Sequence, residues 1–387
     1  MEANDMFNSG NGTAVATGAS TGIGAVYADR LAPQGYDLIL ITAHQSEKRV
    51  TGDSENFHTT GGNRRPGFNL TVDREVSLCW AAILITFWAG IAAYAGTIQQ
   101  QADTPPVPNV SRQEQLEDRV SSAPESVLKR FSNELNVNVS AHTVTPDERI
   151  ILVNAFAQLT PFQREVLQNR VHAIYFMDGL PGNALTFPDG EPTAEPMYSI
   201  AVRAGALHET VSELVTRKER TLFDSAGSEL SLTVDGGTLN ALVYVFLHES
   251  THIVDFVAGA TPDPAHPSGN HPLVSGIWRD VITPVDQYRL PILMGISYRR
   301  SGRVIPITHA ADLYDALGRT PFISVYASCD SHDDLAELVA WTELTGRLPQ
   351  PYRILISKGG NVMRVIQPGK SKLVQARLKY LSQLTGS

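Results

Sequence analysis

The chain has 387 residues, 42% hydrophobic and 18% charged, which is enough apolar material for at least one sizeable core and excludes a wholly disordered chain. A net charge of −9, from 31 basic and 40 acidic residues with no basic stripe, excludes a protein that binds nucleic acid by neutralising phosphates. With only two cysteines, Cys79 and Cys329, a disulfide scaffold and a Cys-rich zinc module are excluded too, so any metal must be held by His and carboxylates.

Residues 1–45 read as one strand–turn–helix–strand unit: Thr13 to Ala16, a glycine turn, Ala25 to Leu31, then Tyr36 to Thr42. The turn carries Gly18, Gly22 and Gly24, and residues 12–42 resemble the opening βαβ of the short-chain dehydrogenase/reductase family. That resemblance implies an NAD(P)-dependent oxidoreductase as an alternative function. The family's catalytic Tyr with Lys four residues later has no counterpart, since none of the twelve tyrosines is followed by Lys at that distance. The unit is therefore read as a truncated Rossmann-like fragment without dehydrogenase activity, its lone βαβ being too small to cover a sheet on both faces.

Residues 46–75 turn polar, lose periodicity and read as a linker. The run 76–98 has no charged side chain and is long enough to cross ~30 Å of hydrocarbon at ~1.5 Å per residue. It is expected to be a transmembrane helix or signal anchor. Arg64, Arg65 and Arg74 precede it and the next basic residue is Arg112, so residues 1–75 are expected in the cytoplasm and the remainder outside. Ala93-Tyr94-Ala95 has the small-x-small form of a cleavage site, which gives the alternative of secretion after cleavage near Ala95.

Residues 99–120 form a Pro- and Gln-rich tether, and 121–387 an α+β domain. Helices are expected over Thr145 to Leu159 and Pro161 to Val171, and strands over Ala173 to Phe176, Tyr198 to Ala204 and Leu230 to Val234. The most informative segment is His248-Glu249-Ser250-Thr251-His252, an HExxH sequence inside the apolar run Leu239 to Val257, with Thr238 as the expected cap. Helical geometry puts both imidazoles on one face, able to share an ion, with Glu249 beside the open position. Ala258 stands where a metzincin would have a third His, so the third ligand is sought as a carboxylate on a later helix. Asp333 and Glu337 share a face of a helix that Asp330 or Ser331 can cap.

HESTHIVD, followed by SVYA and then by an acid seven residues after Tyr326 and by DLAE, resembles the gluzincin metallopeptidases related to anthrax lethal factor over about residues 234–344. The resemblance implies a zincin-like fold and a Zn²⁺-dependent peptidase acting on a peptide or protein. By the same resemblance His248, His252 and Asp333 are zinc ligands, Glu249 is the general base and Tyr326 donates to the oxyanion. Glu337 lies behind them and orients an imidazole. This chain has Asp333 where the family usually has Glu, which keeps Glu337 as the alternative ligand and leaves a third reading, a non-catalytic zincin-like surface binding domain. Asp255 is expected either to bond a ligand imidazole or to cap or solvate the helix end. His266, His271, His309 and His332 are expected mostly at the surface, with His332 a possible stray ligand.

Overall fold

A computed structural model describes residues 115–189, 195–262, 272–299 and 302–385, together with strands at 13–17, 37–41 and 48–50. The chain divides into two compact units, Met1–Asp73 and Arg74–Ser387. Gly18, Gly22 and Gly24, the run 76–98 with its membrane and cleavage expectations, most of the tether, and His266 and His271 lie outside the described residues.

In the first unit β1 (Thr13–Thr17) pairs in parallel with β2 (Asp37–Ile41), the register expected of a βαβ unit. Within the segment read as a linker, Lys48–Val50 forms β3, antiparallel to β2, so that this sheet has three strands among the described residues.

The second unit is α+β, with helices and strands mixed along the chain. Its larger sheet contains β4 (Val120–Ser121), β5 (Ser140–Ala141), β6 (Val171–Asp178), β7 (Ala184–Asp189) and β8 (Met197–Arg203) in the order β4-β6-β8-β7, with β5 also on β6. β4, β6 and β8 run parallel, and β7 closes one edge antiparallel to β8. Period-two alternation sorts the side chains between two cores. Ile174, Phe176, Ile200 and Val202 belong to the main core, whereas Ala173, Tyr175, Met177 and Ala201 pack with Phe131 and Leu135 of α1 (Glu125–Leu135). Burying each of these large apolar side chains contributes about 1.5–3 kcal/mol.

α2 (Pro146–Ala157) and α3 (Pro161–Arg170) begin with the same device, a Thr-Pro start and a capping box closed by Glu148 and Gln163. α4 (Val211–Arg220) follows β8, and β9 (Phe223–Asp224) follows α4; β9 later pairs with β11 (Ile305–Pro306). A second sheet is formed by β10 (Leu230–Asp235), β12 (Arg353–Lys358) and β13 (Asn361–Ile366), all antiparallel.

α5 (Ala241–Ala258) packs against β7 of the larger sheet and is buried continuously from Ala241 to Asp255. Among the described residues it is the one helix long and apolar enough to cross a membrane, and its burial makes it a core helix. Its cap is Asn240, not Thr238. The Asn240 side chain accepts from Leu242 N at 2.9 Å and donates to Leu207 O at 2.8 Å, a link to a distant segment that a bare Thr238 hydroxyl would not make. Gly259, at φ +58°, ends the helix in the left-handed region and bonds back to Asp255 O at 2.7 Å. α6 (Ser331–Gly346) packs along α5 and is capped by Asp330, whose side chain accepts from Asp333 N at 2.8 Å.

Candidate metal centre

α5 and α6 carry the charged groups, and their packing decides which of them meet. His248 and His252 stand one turn apart on the inner face of α5, with Nε2 atoms 3.1 Å from each other. From α6, Asp333 Oδ1 lies 3.4 Å from His248 Nε2 and 3.6 Å from His252 Nε2. These three residues form a buried group that could hold a metal ion. Ligand atoms at ~2.0–2.1 Å from a tetrahedral centre are separated by roughly 3.3–3.4 Å, which the three observed separations bracket.

Hydrogen bonding does not account for this group. Asp333 is 1% exposed, yet neither carboxylate oxygen has a hydrogen-bond partner, and the Nδ1 atoms of both imidazoles are also without one. A buried carboxylate left in that condition is costly unless a cation satisfies it. Two imidazoles and one carboxylate suit zinc and other borderline divalent ions.

Glu337 is held behind the ligand group. Its Oε1 accepts from Tyr244 OH and lies 3.4 Å from His248 Nδ1, close enough for ionic attraction though not a well-formed hydrogen bond. Its Oε2 accepts from Trp341 Nε1 at 3.1 Å, and Lys218 Nζ stands 3.6 Å from Oε1. Burial pushes the Glu337 carboxyl up, but Lys218 and His248 overcome it and bring it down to about 2. Burial likewise lowers His248, yet Asp333 and Glu337 raise it on balance to about 9. The two imidazoles hold Asp333 well below the usual carboxylate range against its burial.

Glu249 and Tyr326 both line a cleft with His248. Thr186 Oγ1, on β7, donates to Glu249 Oε2 at 2.7 Å and fixes that carboxylate. Tyr326 is half-buried, its ring 6.2 Å from that of His248, and burial together with the charge of Asp333 pushes its hydroxyl well above the ordinary tyrosine value. It therefore remains a hydrogen-bond donor.

Two readings are corrected here. His332 is not at the surface but 4% exposed, and its Nδ1 meets Asp255 Oδ2 at 2.6 Å instead of joining the ligand group. Asp255 neither bonds a ligand imidazole nor meets solvent; it is 2% exposed and, in keeping with the capping alternative, holds the chain just past the helix end by accepting from Thr261 N and Oγ1 at 2.9 and 2.7 Å. His309 is exposed, as expected.

Sequence reasoning missed Thr186, Tyr244, Trp341 and Lys218. Tyr244 precedes His248 by four, and Trp341 follows Glu337 by four, so helical spacing carried a signal for both. Thr186 and Lys218 arrive from other elements and had none. No protein-family model matches the chain, and searches of curated proteins and of solved structures found no match to it.

Proposed function

We propose that the protein is a zinc-dependent peptidase of zincin-like fold, with His248, His252 and Asp333 as the ligands. The observation that carries this reading is the buried three-donor set whose spacing suits a tetrahedral ion and whose oxygens have no other partner. A zinc ion held there would activate water as a nucleophile towards a carbonyl carbon.

The chain's own residues supply the rest. Glu249, oriented by Thr186, takes the proton of the attacking water and delivers it to the leaving amine. Tyr326, kept protonated, donates to the oxygen on which charge develops. Glu337 orients His248 from behind, and its own place is set by Tyr244 and Trp341. A peptide as substrate is supported by β7, which among the described residues pairs with β8 alone, the position at which an extended chain could add as a further strand. Asn183 and Ala184, at the start of that strand, line the cleft. The apolar sequence of 76–98 supports a membrane-anchored or exported enzyme.

The test is metal analysis of the purified full chain, followed by hydrolysis of fluorescently labelled casein. About one zinc per chain and chelator-sensitive cleavage are expected. A chain that binds no transition metal at neutral pH overturns the assignment.

A further inference from the structure

Lys218, near the end of α4, is a lysine in an unusual place. Its side chain is 16% exposed, it lines the cleft with His248, Glu249 and Tyr326, and its ammonium lies 3.2 Å from the centroid of the Tyr326 ring. Its charge helps to hold the Glu337 carboxyl down, but a counter-ion for Glu337 accounts for only part of its position. The Nζ to Oε1 separation is 3.6 Å, long for a charge-assisted hydrogen bond of ~2.7–2.9 Å, and Glu337 already accepts from Tyr244 and Trp341.

The ring contact is closer and is backed by a second one. The Tyr298 and Tyr326 rings stand nearly perpendicular with centroids 5.5 Å apart, and the Tyr298 hydroxyl donates to the main-chain oxygen of Lys218 at 2.5 Å. Tyr326 is thus held by a cation on its face and by a perpendicular aromatic ring that is itself tied to the residue bearing the cation. A largely desolvated ammonium over an aromatic face is attracted more strongly than an exposed one.

We propose that Lys218 is a positioning residue for Tyr326, its ammonium on the ring face keeping the phenol in the cleft beside His248. This rests on the peptidase reading above for its catalytic consequence, but not for the contact itself. Lys218 forms no bond to substrate in this role and exchanges no proton.

The experiment uses the full-length protein carrying 3-fluorotyrosine, with the Tyr326 resonance among the twelve tyrosines identified by its loss in Tyr326→Phe. In Lys218→Met that resonance shifts or broadens, and Lys218→Arg, which keeps a cation, restores it at least in part. Zinc affinity of Lys218→Met falls by clearly less than the ~10- to 100-fold expected for Glu337→Gln, since the donors are untouched and Glu337 loses only a neighbouring charge. Casein hydrolysis falls roughly 10- to 100-fold in the parent background, as for a slightly misplaced catalytic group, and shows no further fall when Tyr326 is already Phe.

An unmoved fluorine resonance in Lys218→Met overturns the proposal. So does a loss of zinc affinity matching that of Glu337→Gln, which would make Lys218 a support for Glu337. If Lys218→Met does not fold, Lys218→Gln is read in the same way. A zinc-loaded parent that cleaves nothing defeats the peptidase reading while the fluorine result still decides the positioning role.

Discussion

His332 and Asp255 meet at 2.6 Å inside the protein and join the C-terminal turn of α5 to the first turn of α6. Asp255 lies three residues after His252, and His332 immediately precedes Asp333, so the contact fastens together the two helices that bring the three donors to one point. Burial lowers the His332 imidazole, but the Asp255 charge more than offsets this and leaves it raised. Removing one member of such a buried pair typically costs about 3–5 kcal/mol, because the other loses the charge that balanced it, although His332 keeps its contact with Thr261 Oγ1 at 2.7 Å. Asp255→Ala is therefore expected to lose stability on that scale in urea denaturation and to bind metal more weakly even where it remains folded. Unchanged metal affinity in the folded variant would mean that the contact does not set the spacing of the donors.

Glu249 is 5% exposed and makes no contact with the donors comparable to those of Asp333, its Oε2 being taken by Thr186. Glu249→Gln keeps nearly the same shape and can still accept from Thr186. Metal content should match the parent while peptide hydrolysis falls by ~10²–10⁴-fold, the range for loss of a general base. Metal loss in this variant would move Glu249 from base to ligand.

The strongly periodic parts of the domain were legible in its sequence. The expected helix 145–159 corresponds to Pro146–Ala157, and the expected strands at 173–176, 198–204 and 230–234 lie within or nearly coincide with β6, β8 and β10. β7 was not anticipated. Its sequence ALTFPD carries Pro188, which reads as a strand breaker, yet β7 is an edge strand, where a missing N–H is tolerated. His248 and His252 were legible from helical spacing, which on the later helix offered Asp333 and Glu337 equally; only the resemblance singled out Asp333, the one that the structure groups with the two imidazoles. The surface reading of His332 failed for the opposite reason, since its polar sequence neighbourhood said nothing of a partner 77 residues earlier. Long-range polar pairing, unlike a period of 3.6, leaves no local trace.

Asp333 and Glu337 can be separated by experiment although they share one face of α6. Asp333 Oδ1 approaches both Nε2 atoms and neither oxygen of this carboxylate has a hydrogen-bond partner, whereas Glu337 is occupied by Tyr244 and Trp341 and approaches the far nitrogen of His248. Asp333→Asn should abolish stoichiometric metal binding. Glu337→Gln should retain the ion with affinity weakened ~10- to 100-fold, the effect of losing a carboxylate that orients a ligand imidazole. Competition with a fluorescent chelator measures both, and the reverse order of severity would exchange their roles.

Proton competition at His248 gives metal affinity and metal-free stability opposite responses to pH. In the metal-free fold this imidazole is raised from ~6.5 to about 9, so at neutral pH a proton must leave before the nitrogen can serve as a ligand. Affinity should rise about tenfold per pH unit between pH 7 and 9 and then level off, with release of a proton on binding. The same raised value stabilises the metal-free fold. That contribution is fully present below ~6.5 and is lost as pH climbs through about 9, a change on the order of 3 kcal/mol. Glu337, depressed to about 2, acts at the other end, its contribution present above ~4.5 and lost as pH falls through about 2. Calorimetric titration of zinc in two buffers of different ionisation enthalpy, paired with urea denaturation of the metal-free protein, reads both trends at once. Affinity that does not change from pH 7 to 9, or a metal-free protein that gains stability over that interval, would show that His248 does not carry the proton that the metal displaces.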